Sequence, residues 1–284
     1  MQIAILSGKG GVGKTFVSTN LAAIIAKKEK IVFFDNDVEE PNSHLFFKGK
    51  DIKEEKVNVI YPVVDENKCD LCGECGKFCQ FGGILVGKKK VIVIPQSCHG
   101  CGGCKMVCSR DAIEYTERDI GKIIERDTDL GFKFYYGILN IGELAATDII
   151  KDLRAISNEY SQKGYLCIID SPPGTSCSAY NTVEGVDFAV LVSEPTPFGI
   201  SDMKLVIEML KELDIKFGVV INRANLGSRE IYDYLNKEGI PILGEINFDK
   251  LIVDYYSKGE LISTYIKSYN EIFTAIYNNI KELL

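Results

Sequence analysis

The 284-residue chain has no apolar run approaching the roughly 18 residues of a membrane-spanning helix, and it does not open with a basic segment followed by a long apolar stretch. Neither a membrane anchor nor a secretory leader is expected. Positive charge is in deficit: 33 Lys and Arg face 40 Asp and Glu, a net charge of −7. Every phosphate contact on a nucleic acid or an anionic lipid surface asks for a Lys or Arg on a shared face, so DNA-wrapping and polybasic membrane roles are excluded. The short basic run Lys88 to Lys90 reads as a solvated hairpin tip. Histidine is scarce, and His44 and His99 stand alone, as structural rather than catalytic residues do. A cytoplasmic globular protein with no nucleic-acid partner is expected, and its 46% hydrophobic content suits one large domain or two unequal ones.

Cysteine, by contrast, is plentiful. Ten cysteines in a cytoplasmic chain are not expected to form disulfides, which leaves metal ligation or redox chemistry. Eight of them repeat one pattern, C-x₂-C-x₂-C-x₃-C: Cys69, Cys72, Cys75 and Cys79 in "CDLCGECGKFC", then Cys98, Cys101, Cys104 and Cys108 in "CHGCGGCKMVC". The spacing resembles that of bacterial two-cluster ferredoxins, in which the fourth cysteine of each run ligates the other cluster. That resemblance implies two [4Fe–4S] clusters, one held by Cys69, Cys72, Cys75 and Cys108 and one by Cys98, Cys101, Cys104 and Cys79. Zinc is the alternative, but its sites usually separate paired ligands by a long loop, whereas here three thiols fall within seven residues. Gln80 and Ser109 stand where proline is common in such ferredoxins, a departure that bears on potential and shielding rather than ligation.

Near the start, "SGKGGVGKT" meets the G-x-x-x-x-G-K-[ST] pattern through Gly8, Gly13, Lys14 and Thr15. It follows the apolar run Gln2 to Leu6 and precedes Val17, Leu21, Ile24 and Ile25 at helical spacing, the strand-turn-helix setting of a phosphate loop. Gly8, Gly10, Gly11, Val12 and Gly13 would turn backbone N–H groups onto the phosphates of ATP, Lys14 would reach the β/γ-phosphates, and Thr15 would offer its hydroxyl to Mg²⁺. Asp35 and Asp37 in "VFFDNDVEEPN" and Asp170 in "CIIDSPPGTS" end later strands, where ligands gather in open α/β sheets. Asp170 and Asp37 are candidates for Mg²⁺, and Asp37 for orienting the attacking water. Asn222 in "VVINRAN" carries both a donor and an acceptor able to read adenine.

Strand-like runs at "IVFFD", "YLCIID", "FAVLVSE", "FGVVIN" and "PILGEI" alternate with helical stretches such as "SDMKLVIEMLKEL", which predicts a mostly parallel sheet covered by helices on both faces. The cysteine segment interrupts this rhythm once. The expected layout is a discontinuous P-loop domain, residues 1–59 and 114–284, with a small α+β ferredoxin-like domain inserted at 60–113. A final apolar stripe, Ile272, Ile276, Ile280 and Leu283, is expected to pack on the sheet, since it lacks the basic flank of a membrane-binding helix.

Together "KGGVGKT", "DNDVEEPN", "DSPPGTS" and the two cysteine runs resemble the deviant Walker A ATPases of the MinD, ParA and nitrogenase iron protein group, in the form that carries an inserted ferredoxin domain. The resemblance covers nearly the whole chain. It implies a homodimer that sandwiches ATP, with Lys9 crossing to the partner's phosphates, where a second cation neutralises developing charge. One departure is "EINFD", Glu245 to Asp249, where Asn247 replaces the proline usual in the adenine-side loop. Cys167 reads as a core residue, and Cys177 lies near where the iron protein places one ligand of a shared cluster, with no second free cysteine suited to complete four ligands. Three functions follow: an ATPase coupled to iron–sulfur redox or to cluster transfer to an apo protein, a nucleotide-gated electron carrier to a redox enzyme, and a positioning switch of the MinD or ParA kind.

Overall fold

In a computed structural model covering residues 1–284, the apolar runs are strands buried on both faces. The N-terminal elements are β1 (Gln2–Ser7), α1 (Lys14–Ile25), β2 (Ile31–Asp35) and β3 (Gly49–Val64). There follow α2 (Glu74–Phe78), β4 (Ile84–Val86), β5 (Val91–Val93), α3 (Gly103–Met106), β6 (Ile113–Thr128), β7 (Lys133–Leu139) and α4 (Ala146–Gln162). The chain continues through β8 (Leu166–Asp170), α5 (Cys177–Val183), β9 (Phe188–Ser193), α6 (Pro197–Glu212) and β10 (Phe217–Asn222). It closes with α7 (Glu230–Glu238), β11 (Ile242–Ile246), α8 (Lys250–Ser257), α9 (Ile262–Tyr265) and α10 (Lys267–Leu283).

Nine strands form one sheet in the order β11-β10-β9-β1-β8-β2-β7-β6-β3, and every pairing from β11 to β7 is parallel. Strands that alternate with helices must return by crossovers, which produces this parallel arrangement and buries β1, β2, β8 and β9 completely. The chain leaves β1 through α1 toward β2 on one side, and leaves β8 through α5 toward β9 on the other. This reversal makes the carboxyl end of β1 a switch point, the usual crevice for a ligand in such a sheet.

Edge-to-face aromatic pairs fill the core, among them Phe33 with Phe47 at 4.8 Å between centroids and Phe16 with Phe273 at 5.7 Å. Helix α10 packs there as expected, but on a shifted face. Its buried side chains are Tyr269, Phe273, Ile276, Tyr277 and Ile280, while Ile272 is only partly covered and Leu283 is 37% exposed. The aromatic residues, bulkier than the isoleucines, set the centre of the stripe.

Contacts divide the chain into two compact units. One comprises residues 1–54, 123–138 and 150–284, and the other 55–122 and 139–149. The second holds all eight cysteines of the two runs and is wider than residues 60–113. Its limits fall inside β3 and β6, two 16-residue strands, and inside β7 and α4, rather than in loops. Within it, α2 and α3 each follow a glycine in the left-handed region, Gly73 and Gly102, and β4 pairs antiparallel with β5. Lys88 to Lys90 lie exposed in that hairpin's turn, as expected. The apolar core of this unit is small, with Ile84, Cys104 and Ile113 at its centre and Cys75, Cys79, Cys108 and Tyr115 packed around them.

Candidate nucleotide site and cysteine cavities

The loop from Ser7 to Lys14 leaves the buried end of β1 and turns directly into α1. Its last residue before the helix, Gly13, has φ of 97° and lies so close to Asn222 that an added Cβ would meet Nδ2 at 2.3 Å. Only glycine meets both demands, the left-handed backbone and the missing side chain. Gly10, Gly11, Gly13, Lys14 and Thr15 border a cavity of about 470 Å³, which Phe248, Asp249, Ile252, Val253 and Tyr256 also line. Asp37, Asn222 and Arg223 border it too. A cleft that combines the phosphate loop and polar groups with aromatic and aliphatic side chains suits a nucleotide.

Three carboxylates meet Lys14. Sheet register sets Asp35 of β2 opposite Asp170 of β8, both essentially buried, and Lys14 Nζ lies 2.7 Å from Asp170 Oδ1 and 3.9 Å from Asp37 Oδ2. Burial works against the lysine charge, yet Asp170, Asp35 and Asp37 outweigh it and hold the ammonium above its ordinary pKa. Asp35 is pushed up to about 7 by burial and by Asp170, with Lys14 opposing, and Asp37 to about 6 by burial, again against Lys14. Asp35 also accepts the backbone N–H groups of Asp37, Asn42 and Ser43, and Ser43 Oγ donates to Asp170 Oδ2 at 3.3 Å. The loop after β2 is thereby fastened to the two strand ends that flank the phosphate loop.

These shifts have a consequence for folding. Both folded-state values exceed the roughly 3.9 of an unfolded aspartate, so the native state binds protons more tightly than the unfolded chain. Stability from this source is complete below the unfolded value and is lost as pH rises through about 6 and then 7. The nucleotide-free protein is expected to lose on the order of 3 kcal/mol between pH 5 and 8, read from denaturant midpoints under anaerobic buffer. Stability that rises over that window would overturn the assignment.

Lys9 points to a partner that the sequence did not disclose. Its Nζ lies 2.8 Å from Glu194 Oε1, and Glu194 Oε2 also accepts from Arg223 Nη1 at 2.8 Å. Burial alone would raise the Glu194 pKa; hydrogen bonding and charge from Lys9, with Arg223, hold it below the ordinary glutamate value. Arg223 further donates to Gly11 O at 3.2 Å, so the carboxylate braces both ends of the glycine loop. Glu194 and Arg223 follow β9 and β10, whose places beside β1 come from sheet order and not from proximity in the chain. Asn222, expected to read adenine, is engaged with protein: Nδ2 donates to Val12 O at 2.7 Å and Oδ1 accepts from Arg223 N. Val12 itself is buried in the core and can offer a ligand only its backbone. Gly8 precedes Lys9 at the loop's first bend and, like Lys9, lies outside the cavity wall.

The thiols gather in two places. One small cavity is lined by Cys69, Cys72, Cys75 and Cys108, and a second by Cys79, Cys98, Cys101 and Cys104. The first is tied by Arg110 Nε donating to Asp70 at 2.7 Å, which joins the two cysteine runs. In the second, the Phe78 ring lies where any side chain on Gly103 would be, drawing Cys79 to the later run. Backbone N–H groups of Ala112 and Gly100 donate to Cys108 Sγ and Cys98 Sγ, each at 3.4 Å. Burial raises the Cys75 and Cys98 thiols above their ordinary values, so thiolates here require compensating positive charge of the kind iron supplies. No three of the chain's metal-binding side chains converge tightly enough to hold a single metal ion. Four thiols spread around each cavity, with N–H donors to sulfur, form a donor set suited to a cluster.

The remaining candidates lie apart. Cys167 is buried in β8, donates to Ser157 O, and is pushed up to about 11 by burial, while Cys177 is exposed at the first turn of α5. His44 stacks on Tyr136 and His99 on Phe81. No helix is long and apolar enough to cross a membrane.

Comparison with known proteins agrees with the switch-point loop. The profile of the CobQ/CobB/MinD/ParA nucleotide-binding domain matches residues 3–262. The chain belongs to this family of P-loop ATPases. An uncharacterized protein of Methanocaldococcus jannaschii is 35% identical to this ATPase over all of its chain and 98% of the relative's. An iron–sulfur cluster carrier protein of Pyrococcus abyssi is 23% identical over 99% of the chain and 87% of its own length. Among solved structures, the septum site-determining protein MinD complexed with Mg-ADP, from Pyrococcus horikoshii, superposes with a TM-score of 0.61 at 18% identity, covering 99% of the ATPase and 96% of that chain.

Proposed function

We propose that this ATPase carries two [4Fe–4S] clusters in an inserted ferredoxin-like unit and couples an ATP-driven dimer cycle to their redox chemistry. The observation that carries the reading is the sorting of eight cysteines into two cavities, each taking three thiols from one run and one from the other. This distribution is what the crossed ligation of two-cluster ferredoxins would require. Four cysteines per cavity leave no open ligand position, which suits resident clusters that pass electrons. Transfer of clusters to an apo protein is the second reading, supported by the name of the Pyrococcus abyssi relative.

The nucleotide half follows from the charges at the loop. Lys14 binds the β/γ-phosphates, exchanging its carboxylate partners for phosphate oxygens. Thr15, Asp37 and Asp170 hold Mg²⁺ directly or through water, and Asp37 orients the attacking water. Phe248, Ile252 and Val253 of the cavity lining offer the base an apolar surface. Lys9 leaves Glu194 to reach the phosphates of a second copy across the dimer.

Anaerobic preparations are expected to contain about eight iron atoms and eight acid-labile sulfides per chain, the content of two such clusters. Stoichiometric zinc in colourless protein would sink the reading. Retention of iron after mixing with an apo acceptor and ATP selects electron transfer, and loss to the acceptor selects cluster transfer. Cys108→Ser is expected to damage the cluster on Cys69, Cys72 and Cys75 and to spare the other, halving the iron. Damage confined to the cavity of Cys98, Cys101 and Cys104 would refute crossed ligation.

A further inference from the structure

The two cysteine cavities have different surroundings. In the second, the Tyr115 hydroxyl lies 3.3 Å from Cys104 Sγ. Once Cys104 is a thiolate ligand it carries no proton, so the hydroxyl must donate. Apart from Tyr115, the wall of this cavity is apolar side chains, glycine and His99, with no carboxylate. The first cavity lacks such a donor. No hydroxyl side chain lines it, and its two carboxylates are compensated: Asp70 accepts from Arg110, which lines the same cavity, at 2.7 Å, and Glu74 from Lys77 at 2.8 Å. Backbone N–H groups reach cysteine sulfurs in both cavities, Ala112 on Cys108 and Gly76 on Cys75 in the first and Gly100 on Cys98 in the second, so the side-chain hydroxyl is what sets the second apart.

A donor aimed at a ligand sulfur stabilises the more negative, reduced state and raises potential. The Tyr115 hydroxyl is the side-chain donor that the second cavity has and the first lacks. We propose that the two sites are electronically unequal, that the one held by Cys79, Cys98, Cys101 and Cys104 takes an electron first, and that Tyr115 is the positioning residue that sets this order. With clusters bound, an external one-electron donor would reduce the site of the second cavity before that of the first, and an electron entering at the first would pass to the second. The proposal rests on the cluster reading above.

The test is an anaerobic potentiometric titration of the whole protein, read by EPR, with iron counted on the same samples. Wild-type protein is expected to reduce in two separated steps. Tyr115→Phe keeps the ring and removes only the donor. It should lower the upper midpoint, leave the lower one in place and retain all the iron. A tenfold fall in the reduced-to-oxidised ratio of that site at fixed potential corresponds to about 59 mV for one electron. An unmoved upper midpoint, or equal movement of both, overturns the assignment to Tyr115. Should Tyr115→Phe lose its cluster, Cys108→Ser decides the order independently: it must abolish the lower step and preserve the upper, and the reverse overturns the proposal. Iron near zero in wild-type protein would instead sink the cluster reading, so the two failures are distinguishable.

Discussion

Replacing Lys14 with alanine is expected to abolish ATP binding, while Lys9→Ala is expected to bind ATP nearly as wild type and fail to turn it over. The contrast follows from where the two cations sit. Lys14 is buried, 2.7 Å from Asp170 and surrounded by Asp35 and Asp37. Its removal takes away the charge that meets the β/γ-phosphates and leaves two buried carboxylates facing each other across β2 and β8. Breaking a buried pair by deleting one partner typically costs about 3–5 kcal/mol, so this variant should also be measurably less stable. Lys9 is 34% exposed and its tie to Glu194 is a boundary ion pair, for which less than about 1 kcal/mol is typical. Its loss should barely touch folding or binding. A cation that reaches the transferring phosphoryl group from a second copy is worth roughly 10³ to 10⁵ in rate, and that is the loss expected in phosphate release, together with loss of the ATP-dependent dimer in sedimentation. Equal loss of ATP affinity in both variants, measured by calorimetry, would refute the division of labour. Glu194→Gln supplies a check on the resting contact, because it removes the competitor for Lys9 while leaving Lys9 in place.

The phosphate loop was legible in the sequence because its function depends on consecutive residues: four glycines and one lysine must be neighbours in the chain to be neighbours in space. The same holds for the buried strands, whose continuous apolar runs mark a parallel sheet, and for the two cysteine runs. Glu194 and Arg223 were not legible. Each ends a strand that also carries an ordinary apolar pattern, and only the order β10-β9-β1 brings them to Lys9 and Gly11. Asp35 was visible as a strand-end carboxylate, but its grip on the loop through three backbone N–H groups depends on how residues 37–43 fold back. The limits of the second unit were blurred for a different reason. In β3, the stretch "GKDIKEEK" is charged and exposed, which hides a strand from hydrophobic periodicity while protecting a sheet edge from unwanted pairing. Tyr115 gave no sequence signal, since nothing in spacing distinguishes a tyrosine bonded to sulfur from one that merely packs.

Asp37→Ala is expected to bind ATP, dimerise and stall, with hydrolysis reduced about 10²- to 10⁴-fold, the range for losing a positioned proton acceptor. The stalled variant also offers a way to ask whether nucleotide and clusters are coupled. The loop after β2 carries Asp37, and Asp35 and Asp170 fasten it through Asn42, Ser43 and the backbone of Asp37. A γ-phosphate that draws Lys14 and Mg²⁺ to itself takes charge away from those carboxylates, and the hydrogen bonds they accept must readjust. The chain leaves this loop into β3 at Gly49, and β3 continues into the unit that holds the cysteines. A covalent route therefore links the phosphate-sensing loop to the segment that begins the cluster unit. Any such coupling is reciprocal for binding: if ATP shifts the cluster midpoint, reduction must shift ATP affinity by the same free energy. A coupling of about 1.4 kcal/mol would change affinity tenfold and move a one-electron midpoint by roughly 59 mV. The expected result is that midpoints of the Asp37→Ala protein differ between its ADP-bound and ATP-bound forms, and that dithionite-reduced and oxidised protein bind ATP with correspondingly different affinity. Midpoints that coincide, with affinity indifferent to reduction, would show two independent functions on one chain.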